Sequence, residues 1–359
     1  MHITIVGGGN IGTQFAVHCA EKGHRVIIYT SKPDKFSSIL KIVNSDGNII
    51  HEGVIDAATN IEEEAFGDTD LIFITVPAYC MEDISKKILP YVKDGMKIGL
   101  VPGTGGGECA FRECIEKGAV LFGIQRVPSV ARLVEYGKVV CATGYREELH
   151  VGSIPYAFTK ECALLISQIF DMPCIELPNY LNLTLTPSNP ILHTTRLKIL
   201  FKEYEAGKIY DSIPLFYEDW DNETSKLLLK CDEEVQQICC KLNMFPLSYV
   251  KSLKIHYESD TAEAMTKKIS SIQGFKGLTT PSIKVEGGYV PDLNSRYFTA
   301  DFSYGLSILV QIAHLIGIKA INLEETMEWY YSIALDIKEF QFTKYGISNF
   351  EEFIEFYKR

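Results

Sequence analysis

The 359-residue chain has no basic run, no apolar stretch of membrane-spanning length, no paired-cysteine spacing, no internal repeat and no low-complexity tract. Lys and Arg number 35 against 46 Asp and Glu, a net charge of -11, so nucleic acid and anionic membrane are both poor partners for its surface. Any anionic ligand must be drawn in by local positive groups. The ten cysteines lack zinc-site spacing, so no metal is expected, and reduced, mostly buried thiols of a cytoplasmic protein are the simple reading. A strand beginning at residue 2 leaves no room for a signal peptide, and none is expected. With 46% hydrophobic residues the chain can fill two cores, and its length exceeds what one normally serves.

The densest signal is HITIVGGGNIG at 2–12, where a strand-like run meets Gly7, Gly9 and Gly12 at the start of a helix-like segment. In a dinucleotide-binding turn the first glycine permits the bend, the second clears the pyrophosphate and the third lets helix and sheet approach. Asn10, Ile11 and Gly12 then open the helix whose N–H groups hold the anion. A fold of this type with a vestigial or reused cofactor site is the alternative. A further absence bears on which nucleotide binds: after Val26 to Tyr29 the chain reads Thr30, Ser31, Lys32, with no Asp or Glu to accept bonds from a ribose. Two hydroxyls and an ammonium suit a 2'-phosphate, so NADP is expected, with NAD the alternative. Lys32 as an ordinary solvent-facing lysine remains open.

Strands and helices alternate through the first half. Lys35 to Val43 looks helical, GNIIHEGVI is a small excursion or hairpin, and DLIFITV at 70–76 is a buried parallel strand. That strand leads into Val76, Pro77 and Ala78 at the carboxyl edge of the sheet, where open α/β folds bind ligands. Another strand, Lys97 to Val101, runs into PGTGGG; Gly103 and its neighbours Gly105, Gly106 and Gly107 are either a second cofactor or substrate contact or a flexible turn. Short strands follow at Val120 to Gly123 and Lys138 to Ala142. Beyond Leu177 helical periodicity dominates, with helices at Pro190 to Ala206, Asn222 to Leu242, Ala262 to Ile269, Gly305 to Ile316 and Leu323 to Leu335. The fold class is therefore α/β, a Rossmann-type doubly wound sheet over 1–180 with a second, mainly helical domain over 181–359.

Two places in the helical half carry chemistry. In NPILHTTR, helical spacing puts Asn189, His193 and Arg196 toward one side, and His193 can exchange protons near neutral pH. In NSRYFTAD, Asp301 either caps the following helix or holds the His193 imidazole in one tautomer.

The whole chain resembles the octopine/nopaline (opine) dehydrogenase family, on the glycine motif, PGTGGG, NPILH at 189–193, LFYEDW and CDEE, and GLTTP followed by NSRYFTADFSYGL. The resemblance implies that His193 and Asp301 form the proton-transfer pair in an interdomain cleft. It departs from the family at Ala300, where Glu commonly precedes the aspartate, and at Thr194, where proline often follows the histidine. Both alter the substrate wall.

The implied reaction condenses an amino acid with a 2-oxo acid to an imine and reduces it with hydride from the nicotinamide. Substrate carboxylates call for positive groups, for which Arg296, Arg196 and Arg126 are candidates, each with an ordinary surface or interface role as the alternative. Thr224 and Ser225 either offer N–H and hydroxyl groups to a carboxylate or cap the helix they precede. A ketopantoate or 2-hydroxyacid type reductase is the first alternative function. That class normally needs a lysine proton donor, and no lysine stands out. A non-catalytic NADP-binding sensor is the second. Homodimerisation is an open expectation.

Overall fold

Strand β1 (His2–Val6) lies in the middle of an eight-stranded sheet, because its residues from Ile3 onward are buried and accept neighbours on both edges. The other strands of this part are β2 (Arg25–Tyr29), β3 (Ile39–Val43), β4 (Ile49–Val54), β5 (Ala57–Thr59), β6 (Leu71–Ile74), β7 (Lys97–Leu100), β8 (Val120–Ile124), β9 (Val130–Glu135), β10 (Val139–Thr143), β11 (Leu149–Ile154) and β12 (Cys174–Glu176). The large sheet runs β12-β11-β8-β7-β6-β1-β2-β5, parallel except where β11 meets β8. From β1 the chain passes to β2 on one side and later returns at β6 on the other. That reversal is the topological switch point, so the turns after β1 and β6 flank one crevice at the carboxyl ends of the strands.

The computed structural model describes residues 1–359 as two units, Met1–Thr184 with Glu355–Arg359, and Leu185–Ile354. The expected second domain ran to residue 359. The last five residues instead group with the first unit, because the Tyr357 hydroxyl donates to the Glu108 carboxylate at 2.7 Å and Tyr156 N–H donates to the Arg359 carbonyl at 3.0 Å.

A second correction concerns residues 35–43. The apolar positions there match helical spacing, but Leu40 and Ile42 point inward with the period of a strand, and β3 pairs with both β4 and β10. With β9 they form a four-stranded sheet, β4-β3-β10-β9, absent from the expected alternation. Helix Asn10–Glu21 packs against it, and its residues from Gly12 to Cys19 are all buried. A Cβ on Gly53 of β4 would stand 2.8 Å from the Val17 carbonyl, so glycine there sets how closely that sheet approaches the helix.

The second unit is built on helices Asn189–Leu200, Asn222–Lys241, Ala262–Ser271, Ser307–Leu315 and Ile321–Ile333, with one hairpin, Ser282–Val285 and Gly288–Pro291. Buried Glu234 accepts from the N–H groups of Asn322 and Leu323, satisfying the start of the helix those residues open. Asp232 accepts from Leu253 N–H at 2.9 Å, and burial pushes its carboxyl up to about 6. The acids of CDEE are thus partly structural. No helix is long and apolar enough to cross a membrane.

Candidate active site

The turn after β1 fits a dinucleotide. Gly7 has φ 106°, and a Cβ there would meet the Thr75 hydroxyl at 2.8 Å; on Gly12 it would collide with the Gly7 carbonyl. Gly9 differs: it is exposed, and a Cβ would touch nothing in the protein. Only something outside the protein needs that space, which is the role of the second glycine beside a pyrophosphate. The first helical bond runs from Thr13 N–H to Gly9 O, so the N–H groups of Asn10, Ile11 and Gly12 precede the ladder at an anion-favouring helix end. The Asn10 side chain is tied away, accepting from Leu133 N–H at 2.7 Å. Thr75, which the sequence reading passed over, donates to the Val6 carbonyl at 2.8 Å and clips this turn to the end of β6. Val76, Pro77 and Ala78 follow it, partly exposed.

At the end of β2, Ser31 and Lys32 are exposed, with the Lys32 ammonium 5.8 Å from the centroid of the Tyr136 ring. Thr30 is buried, and its hydroxyl lies 3.3 Å from that of Tyr136, so it supports the strand end more than it offers itself to a ribose. Gly103 is likewise committed. Its N–H donates to the Ile124 carbonyl, and a Cβ would stand 2.7 Å from the Gly123 backbone. Close strand packing, not an open N–H, requires glycine there.

In the second unit the structure brings His193 and Asp301 together. Pro190 sits in the first turn of helix Asn189–Leu200, and Gly305 packs on its ring, where a Cβ would be 3.0 Å away. Gly305 belongs to a π-helical turn, Phe302–Leu306, in which Leu306 N–H donates to the Asp301 carbonyl. That wide turn follows Asp301, whose side chain makes no capping bond. It accepts instead from His193 Nδ1 at 2.7 Å. The other ring nitrogen, Nε2, lies 2.7 Å from the Tyr217 hydroxyl. A carboxylate only accepts, so Nδ1 carries the ring proton of the neutral imidazole and Nε2 receives the Tyr217 O–H. Burial, with Tyr297, Tyr257 and Asp301 nearby, pushes the Tyr217 phenol far up, which keeps it a donor. Tyr217 had no signal in the sequence beyond its place in LFYEDW.

Arg196 lies one turn from His193 but serves the protein. It is 1% exposed, and its five N–H donors go to the carbonyls of Phe216, Leu215 and Asp219, the Asp221 carboxylate and the Thr224 hydroxyl. None is left for a substrate. Thr224 and Ser225 are also buried: Asp221 accepts from Thr224 N–H as the helix cap, and the Ser225 hydroxyl accepts from Trp220 and bonds Thr266. Asn189 is exposed at the start of the helix that buries His193 and Arg196, so the expected trio does not share one environment. Arg296 is exposed and unpaired, five residues before Asp301. Arg126 is partly exposed, two residues beyond the carboxyl end of β8. One metal-type grouping exists: His18, Glu21 and His51 place ligand atoms within 4.8 Å of one another. It is closed by its own bonds, His51 to Glu21 at 2.8 Å and His18 to Tyr145 at 3.2 Å.

Residues 176–334 match the family described as NAD/NADP octopine/nopaline dehydrogenase, alpha-helical domain, and the octopine dehydrogenase of Pecten maximus is 24% identical over 358 residues, 91% of this chain and 88% of its own length. The chain is thus similar to opine dehydrogenases over most of its length. Residues 3–155 match the family described as ketopantoate reductase PanE/ApbA. Among solved structures, octopine dehydrogenase with NADH and L-arginine has the same fold, with a TM-score of 0.85 at 20% identity over 98% of this chain and 97% of that one. Yersinopine dehydrogenase with NADP+ shares the fold more loosely, with a TM-score of 0.64 at 11% identity over 92% and 90%. The first unit carries the glycine turn after β1, and the second carries the His193–Asp301 pair.

Proposed function

We propose that the protein reduces the imine formed between an amino acid and a 2-oxo acid, with His193 as the acid–base residue and Asp301 as its orienting partner. The observation that carries this is the 2.7 Å His193–Asp301 pair, held by the π-helical turn within the part of the chain that matches the opine dehydrogenase helical domain. A bound nicotinamide nucleotide would supply the hydride, held at its phosphates by the N–H groups of Asn10, Ile11 and Gly12, with Gly9 leaving the space. Asp301 fixes the tautomer and stabilises the imidazolium that proton transfer creates. Arg296, with its guanidinium uncommitted, is the first candidate for a substrate carboxylate, and Arg126 the second.

Incubation with NADPH or NADH, pyruvate and a panel of amino acids tests this. Cofactor oxidation only with both substrates supports it; oxidation with the oxo acid alone points to a 2-hydroxyacid or ketopantoate type reductase. Of the two nucleotides, NADP is favoured by the exposed Ser31 and Lys32 and by the missing acid at the end of β2. Replacing Ser31 by Asp together with Lys32 by Ala is expected to weaken NADPH binding relative to NADH. An unchanged ratio of dissociation constants assigns the preference elsewhere. Ten unpaired cysteines favour a reducing compartment such as the cytoplasm.

A further inference from the structure

We propose that His193 exchanges its proton with the substrate through the Tyr217 hydroxyl, so that Asp301, His193 and Tyr217 act as one relay. The inference rests on the imine-reducing reading above. Both ring nitrogens of His193 are taken, Nδ1 by Asp301 and Nε2 by Tyr217, each at 2.7 Å. The ring is 5% exposed and flanked by Phe216 and Tyr297, with centroids at 5.5 and 4.4 Å. A proton can therefore reach Nε2 only by way of the Tyr217 oxygen or after Tyr217 is displaced.

Displacement is opposed by packing. The Tyr217 ring stacks on Phe275 at 4.1 Å and 20°, lies parallel to Trp220 at 6.1 Å and 8°, and meets Phe216 edge-on at 4.8 Å. Its hydroxyl also bonds that of Tyr297, which is partly exposed and adjoins Arg296, so the hydrogen-bonded path continues outward from the buried imidazole.

The step balances for loss of water from the adduct of amine and oxo acid. The Tyr217 O–H proton passes to the leaving hydroxyl oxygen, the C–O bond breaks with its electron pair on that oxygen, and water departs. The imidazolium Nε2–H bond breaks as its proton refills the Tyr217 hydroxyl. The positive charge moves from the imidazolium to the iminium carbon–nitrogen unit, and Tyr217 is neutral before and after. The oxidative direction runs the same transfers backward. No phenolate accumulates, consistent with burial raising the pKa of the phenol.

The experiment compares the full-length wild type with Tyr217→Phe and with 3-fluorotyrosine incorporated at 217, using both substrates across pH. For Tyr217→Phe, kcat is expected to fall roughly 100-fold or more, in the range of general acid–base groups, while substrate KM and cofactor Kd stay within about threefold. The fluorinated residue keeps the ring packing and makes the phenol a stronger acid, and is expected to move the pH profile of kcat. Tyr217→Phe with wild-type or higher kcat, or a fluorotyrosine enzyme with a superimposable profile, overturns the relay while the imine-reducing reading stands. A wild type that turns over the oxo acid without an amine overturns both. Should Tyr217→Phe fail to fold, the fluorotyrosine profile decides alone.

Discussion

His193 and Arg196 share one helix and three residues of spacing, yet their surroundings send them to opposite tasks. Arg196 is buried with every donor engaged, so it braces the 215–224 segment that carries Tyr217, and its part in the site is indirect. His193 keeps two exchangeable positions. Replacing it by Ala is expected to cut kcat by about 100-fold to 10,000-fold while leaving nicotinamide-nucleotide binding nearly unchanged, because the glycine turn lies on a different part of the chain. Stopped-flow turnover with equilibrium titration checks this, and unchanged turnover removes the residue from the chemistry. A second histidine shows what burial does to an imidazole. His18 is 3% exposed beside His51, and burial first, then His51 and Lys22, lowers it from 6.5 to about 3. With the folded value below the unfolded one, its contribution to stability is present above pH 6.5 and is lost as pH falls toward 3, at about 1.4 kcal/mol per unit of separation. His18→Gln is expected to flatten the decline in thermal midpoint over that interval. An equally steep decline in the variant would assign it to other groups.

At the scale of elements, the glycine turn was legible because each glycine answers a separate steric demand, and those demands appear as a pattern of three. Their consequences separate experimentally. Gly12→Ala drives a Cβ into the Gly7 carbonyl and is expected to lower the melting temperature and abolish cofactor binding together. Gly9→Ala meets no protein atom, so the melting temperature is expected to hold while cofactor affinity falls at least tenfold. Calorimetry and nucleotide titration on both variants check the split; equal destabilisation would mean that Gly9 serves the fold alone. The His193–Asp301 pairing was legible only in part. Nearness across 108 residues comes from a π-helical turn and from Gly305 packing on Pro190, and neither has a local periodicity. Tyr217 was illegible for the same reason, lying in an irregular segment fixed by bonds to Arg196. The segment 35–43 misled in the other direction, since the apolar positions Phe36, Ile39, Leu40, Ile42 and Val43 satisfy helical and strand spacing at once.

For the whole molecule, the sequence boundary near 180 captured where alternation stops but not that the chain's end rejoins its beginning. Periodicity reads neighbours along the chain, whereas the tail is placed by partners far away in sequence. Glu108 is fully buried, and burial raises its carboxyl; it accepts from the Thr184 hydroxyl at 2.5 Å and from Tyr357 at 2.7 Å. Asn179 in turn donates to the Tyr357 carbonyl at 2.7 Å. The buried acid thus has one donor at the end of the contiguous part of the first unit and another in the last five residues. Tyr357→Phe removes only the hydroxyl and is expected to cost about 1–3 kcal/mol, the range for taking one of its two donors from a buried carboxyl. Deleting Glu355–Arg359 also exposes the buried Phe356 and Tyr357 positions and is expected to cost more, with a broadened or split calorimetric transition as the first unit unfolds ahead of the second. A deletion variant melting as wild type does, in one transition, would show that the tail merely rests on the first unit and that residues 1–184 complete its core unaided.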